Sequence, residues 1–106
     1  MLKLDKIVEG CIRGESRAQV ELYELFSDRL YSLCLRYTNN EDQAKDSFQE
    51  GFIRIFDKLS QYRKRGSLEG WMRRIMVNST LERIRKENRY LSLDDELVTK
   101  SNLLNY

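Results

Sequence analysis

Basic and aromatic side chains share one stretch of this sequence, and together they can do chemistry that neither does alone. Residues 61–90 carry nine basic side chains (Arg63, Lys64, Arg65, Arg73, Arg74, Arg83, Arg85, Lys86 and Arg89) against three acidic ones (Glu69, Glu82 and Glu87), with Tyr62 and Trp71 among them. Arginine and lysine neutralise phosphates and release counterions, whereas a flat ring offers an unstacked base a surface worth ~1–3 kcal/mol. Single-stranded or melting nucleic acid needs both. The same residues also have a plainer reading, in which Trp71 anchors a helix to the core and the charges form its solvated face. The charge split would equally suit a helical interaction module whose basic face meets an acidic protein.

The formal net charge of +2 conceals this asymmetry, because residues 61–90 net +6 and everything else nets −4. Part of that negative charge lies in a second constellation: Asp42, Asp46, Gln49, Glu50 and Ile53 recur at helical spacing. One apolar side chain inside a ring of polar ones can dock a protein helix, although an ordinary solvated helix with one exposed isoleucine has the same pattern.

Other chemistries lack their parts. Histidine is absent, and neither a glycine-rich phosphate loop nor a nucleophile beside a base is present, so no catalytic residue, cofactor or metal site is expected. Cys11 and Cys34 stand alone without CxxC spacing and read as reduced core thiols. Apolar runs are only a few residues long, and Met1, Leu2, Lys3, Leu4 and Asp5 do not form the apolar centre of a signal peptide, so a cytoplasmic protein without membrane insertion is expected.

The elements that must position these groups are helices. The 106 residues are 41% hydrophobic, contain no proline and only 5 glycines, and can bury one modest core. Leu4, Ile7, Val8, Cys11 and Ile12 form a first helical stripe, closed by Gly14 as a C-cap. Ser16 with Gln19 reads as a capping box ahead of a second stripe through Leu22, Tyr23, Phe26, Leu30, Leu33, Cys34 and Tyr37. Asn40 with Gln43 repeats the box, and Glu41 and Asp42 put negative charge where the helix dipole favours it. The third helix then buries Ala44, Phe48, Phe52, Ile55 and Leu59, which leaves the Asp42 to Ile53 set projecting about 180° away.

Residues 61–66 break the pattern and read as a basic loop, after which Ser67 is a good N-cap. Leu68, Trp71, Met72 and Ile75 are the expected core stripe of a fourth helix ending near Lys86 or Asn88, with Arg74, Asn78, Leu81 and Arg85 on an adjoining face. The fold class is therefore all-α, a compact bundle of about four helices over residues 1–90. The acidic, aperiodic stretch from Leu91 onward is expected to begin an inter-domain linker covering 91–106.

Two of these segments resemble a known family. Residues 40–56 read N-E-D-Q-A-K-D-S-F-Q-E-G-F-I-R-I-F, similar to the E-D-A-E-D-L-V-Q-E-V-F pattern in region 2 of sigma-70-like factors of the extracytoplasmic-function (ECF) group. Residues 67–78 read S-L-E-G-W-M-R-R-I-M-V-N, similar to the same family's S-F-x-x-W-L-x-R-I-x-x-N, and the basic pair Arg85 and Lys86 follows in order. The sequence departs from the pattern at Lys45, Gly51, Gly70 and Met72.

The resemblance implies a non-catalytic factor that directs core RNA polymerase to promoters. It implies that Asp42, Asp46, Gln49, Glu50 and Ile53 meet the clamp-helix coiled coil of the largest polymerase subunit. It further implies that Tyr62, Arg63, Lys64, Arg65 and Ser67 capture a flipped base of the −10 region on the non-template strand. Arg73, Arg74 and Asn78 would contact the duplex edge and backbone, and Arg85 and Lys86 the DNA beyond. Trp71 stays open between duplex wedge and core anchor. An anti-sigma factor is a further partner expected from the family, and so is a second domain reading the −35 element, whose absence from these residues suggests a fragment.

Overall fold

The computed structural model describes residues 3–104, with side chains from Lys3 to Tyr90. It contains α1 (Lys3–Ile12), α2 (Ser16–Tyr37), α3 (Glu41–Lys58), a 3₁₀ turn (Leu59–Gln61) and α4 (Leu68–Leu104), with no strand among the described residues. The all-α bundle of four helices expected from the sequence is what forms. α3 packs on α4, while α2 touches α1, α3 and α4 in turn, so α2 lies at the centre of the bundle.

The caps explain where the helices begin. Asn40 Oδ1 accepts from the Gln43 N–H at 2.8 Å, and Gln43 Oε1 accepts in return from the Asn39 N–H at 2.9 Å, one residue before the position a capping box would use. At α4 the Gly70 N–H donates to Ser67 Oγ at 3.0 Å. The box expected at Ser16 does not form. Glu15 occupies the N-cap without a side-chain cap bond, and its carboxylate is taken instead by Arg13 Nε at 2.9 Å. Gly14 does close α1, at φ +80°.

The core is built from Ile7, Val8 and Cys11 of α1, from Leu22, Phe26, Leu30, Leu33 and Cys34 of α2, and from Ala44, Phe48, Phe52 and Ile55 of α3 with Leu59. Ile12, Tyr23 and Tyr37, expected on the buried stripes, are exposed at the edges of α1 and α2. α4 differs most from expectation. Its buried residues are Leu68, Met72, Met76, Ser79 and Thr80, whereas Trp71 and Ile75 are only half-buried against the core. The inward face is thus turned toward two hydroxyl residues that hydropathy hides. Thr80 Oγ1 donates to the Met76 carbonyl at 2.8 Å and Ser79 Oγ accepts from Arg54 Nη1 at 3.2 Å, so both are buried without the cost of an unpaired polar group.

α4 also runs past Lys86 and Asn88 to Leu104. No proline or glycine follows Gly70, and loss of apolar periodicity alone does not stop a helix. The segment expected to begin a linker is therefore helical as far as Leu104, and its side chains lie outside the described residues.

Gly51 fixes the crossing of α3 and α4. A Cβ there would lie 2.2 Å from Met76 Sδ and 2.9 Å from Met76 Cε, so the fully buried Met76 side chain would have to shift. Gly51→Val should therefore destabilise the domain by about 1–3 kcal/mol through overpacking. Urea unfolding would read this as a lower midpoint at unchanged slope.

Candidate nucleic-acid interface

The 3₁₀ turn hands the chain to a loop that folds back on α4. Tyr62 is half-buried, its hydroxyl donates to the Gly66 carbonyl at 2.8 Å, and its ring lies 5.3 Å from that of Trp71 at an interplanar angle of 43°. Arg63, Lys64, Arg65, Gly66 and Ser67 are exposed. Lys64 adopts φ +58° and Gly66 φ +79°, so two left-handed residues bend the loop between Tyr62 and the Ser67 cap. The two aromatic residues read as platforms for bases thus pack against each other in a tilted pair.

On α4, Arg73, Arg74, Asn78, Arg85 and Lys86 are all exposed. Arg74, Asn78 and Arg85 share one row opposite the buried Met72, Met76 and Ser79, with Arg73 and Lys86 about 100° to either side. Among the described residues none of these cations is in an ion pair, nor are Arg63, Lys64 and Arg65.

Arg83 belongs to a different surface. Its Nη1 donates to Glu50 at 3.2 Å, its Nη2 to Asp46 at 3.2 Å, and its Nε lies 3.4 Å from Glu87, whose carboxylate also accepts from Gln43 Nε2. Arg54 forms the neighbouring clamp, with Nη2 to Glu50 at 3.1 Å and Nη1 to Glu82 at 2.7 Å. At the start of α4, Glu69 accepts from Arg29 of α2 at 2.8 Å. All three acidic residues of segment 61–90 are thus drawn toward cations beside or beneath them, and none is in an ion pair with Arg74 or Arg85, although Glu82 also feels the charge of Lys86. Sequence counting could not separate Arg83 from Arg85, because their opposite roles follow from the α3–α4 crossing.

The α3 set expected to act as one docking face is divided. Asp46, itself exposed, and the half-buried Glu50 are in ion pairs with Arg83, whereas Asp42, Gln49 and Ile53 are exposed outside any ion pair among the described residues, and Ile53 keeps 62% of its surface accessible. Gln49 and Ile53 instead border an open groove of about 600 Å³ whose other wall is Tyr23, Ser27, Asp28 and Tyr31 of α2, floored by Phe48 and Phe52. The α2 wall was not singled out from sequence. Its signal in the sequence is the row Tyr23, Ser27 and Tyr31 at i, i+4 and i+8, of which Tyr23 also fits the buried stripe of α2.

The sequence profile described as Sigma-70 region 2 matches residues 22–90 of this chain. The chain belongs to that family. Its relatives place it with the ECF group: it is 29% identical over 105 residues to the ECF RNA polymerase sigma factor SigW of Bacillus subtilis, covering 99% of this chain and 56% of that protein. It is 39% identical over 69 residues to the ECF RNA polymerase sigma factor SigE of Mycolicibacterium smegmatis, covering 65% of this chain and 26% of that protein. The chain therefore spans about half or less of these two relatives' lengths.

Among solved structures, an engineered region 2 of sigmaE, determined by NMR in complex with GTAAAA, superposes with a TM-score of 0.76 at 27% identity. The superposition covers 85% of this chain and 94% of that one. The same architecture thus occurs in a region 2 solved in complex with GTAAAA. No helix among the described residues is long and apolar enough to cross a membrane.

Electrostatics within this sigma-70 region 2 domain favour the charged state of the α3–α4 clamp. The hydrogen bond from Arg54, reinforced by its charge, holds the Glu82 carboxyl below the usual carboxylate range. A depressed carboxylate contributes stability above its unfolded pKa, and that contribution disappears as pH falls through the folded value. Arg54→Met should accordingly lower Tm at neutral pH, and the gap from wild type should shrink on acidification through the carboxylate range. A gap that stays constant with pH would mean that the pairing of Glu82 contributes nothing. Burial, by contrast, pushes the Cys34 and Cys11 thiols up, which keeps both in the protonated, unreactive form.

Proposed function

We propose that this chain acts as the polymerase-binding and promoter-opening part of an ECF sigma factor, a non-catalytic cytoplasmic protein that works by capture. Melting a base step costs a few kcal/mol, and phosphate neutralisation together with contacts to the released base offsets it. The observation that carries this reading is the sorting of charge on α4, where every acidic residue through Tyr90 is engaged toward α2, α3 or the Arg83 clamp. The outer row of Arg74, Asn78 and Arg85 is left to face a polyanion, with the basic loop at its N-terminal end.

In this reading the loop 61–66 receives an unstacked base of the −10 region on the non-template strand, and Ser67 caps the helix that follows. Arg73 and Arg74 with Asn78 hold the adjoining backbone, and Arg85 and Lys86 reach further along it. The Trp71 ring, backed by Tyr62, offers its remaining accessible surface beside the loop. The sigmaE region 2 solved with GTAAAA supports the same use of the fold. Core polymerase docks through Asp42, Gln49 and Ile53 with the α2 side of the groove, whereas Asp46 and Glu50 serve first to hold Arg83. An anti-sigma factor would be a competitor for such exposed surface.

Fluorescence anisotropy with single-stranded −10-like DNA tests the first half. Arg74→Ala should weaken binding and reduce the slope of log affinity against log salt by about 0.7, as expected for one phosphate contact to a single strand. Equal, weak binding of every oligonucleotide, untouched by loss of Arg74 and Asn78, would favour a protein-interaction module instead.

Retention on core polymerase tests the second half. Ile53→Asp should reduce it at least about tenfold, in line with loss of a central apolar anchor, without lowering Tm because the side chain is exposed. Undiminished retention would remove Ile53 from the docking face.

A further inference from the structure

We propose that Tyr62 is the positioning residue of the nucleic-acid loop. Its hydroxyl ties Gly66 and its ring rests on Trp71, so that Arg63, Lys64 and Arg65 are presented as one fixed rim. The inference rests on the reading of residues 61–66 as the loop that receives DNA, and assigns Tyr62 to the loop's geometry instead of to base stacking.

Three observations lead there. The loop has little else to hold it, since among the described residues no backbone hydrogen bond falls between the Tyr62 N–H bonded to Leu59 and the Trp71 N–H bonded to Ser67. It is also bent against its own preference. Lys64 at φ +58° occupies a region that side chains other than glycine's disfavour, and a lysine released from constraint would leave it. Finally, three consecutive cations stand exposed without ion pairs among the described residues, and their mutual repulsion favours opening the loop.

The bond from the Tyr62 hydroxyl to the Gly66 carbonyl spans Lys64 and closes the loop at 2.8 Å. The other end of the tyrosine is held by the Trp71 ring at 5.3 Å. Unfavourable backbone geometry persists only where surrounding contacts over-determine it, and a rim fixed before the ligand arrives loses less freedom on binding. Without the tether the same charges would still attract any strand, but they would no longer be registered against the site for a particular base. Tyr62 therefore governs discrimination more than attraction.

The test uses the 106-residue chain and a pool of random single-stranded DNA decamers, from which wild type enriches its preferred sequence. Anisotropy then compares that decamer with a scramble of the same composition, for wild type and for Tyr62→Phe, which keeps the ring and removes the hydroxyl. The ratio of the two affinities is expected to fall about two- to fivefold in Tyr62→Phe, the scale of one hydrogen bond. The slope of log affinity against log salt should be the same for both proteins, because no cation is removed.

An unchanged ratio, or a loss shared equally by both decamers with a drop in Tm, overturns the positioning role while leaving the proposed function in place. Failure of the wild-type chain to enrich any sequence would overturn the proposed function itself, and this inference with it.

Discussion

Where α3 crosses α4, the Gly51 backbone receives the Met76 side chain, and the outward surfaces of the molecule follow from that contact. The approach is close enough that a Cβ on Gly51 would fall 2.2 Å from the Met76 sulfur. It brings Arg83 within reach of Asp46 and Glu50, and Arg54 within reach of Glu82 and Ser79. A bulkier residue at 51 would push α4 away, and the ion pairs would lengthen together. The departure of Gly51 from the family's branched residue is thus matched by Met76, which fills the space from the opposite helix.

That crossing sorts the charges. Individually such solvent-screened ion pairs contribute little to stability, so their importance lies in arrangement. Each carboxylate of segment 61–90 is turned toward a cation of α2, α3 or α4's inner side, and Arg83 is withdrawn with them. What remains outside is one sign of charge on one side of one helix. A chain whose formal net charge is only +2 thereby acquires a strongly cationic face.

Caps and helical periodicity involve neighbours only, so the fold class, the starts of α3 and α4 and the outward row of Arg74, Asn78 and Arg85 are legible in the sequence. The box at Ser16 does not form because α2 begins one residue earlier than it requires, with Glu15 at the N-cap and Ser16 already helical. The inward face of α4 was misplaced because Ser79 and Thr80 are polar by type yet satisfied within the core. The division of the α3 face was illegible for a third reason: whether Asp46 and Glu50 are free depends on Arg83, more than thirty residues away. The aromatic wall on α2 becomes visible only once α3 lies beside it.

The continuity of α4 has a mechanical side. Between Met76 and the end of the helix at Leu104 lie 28 residues, about 40 Å at 1.5 Å per residue. A tilt of only ~5° at the crossing would sweep the far end through roughly 3–4 Å, close to the spacing between stacked bases, whereas Arg74 near the pivot would hardly move. Were the helix to tilt as a rigid rod, its fulcrum would lie at a glycine, and a small change at the α3 contact would reach the distal turns enlarged and the proximal ones almost unaltered.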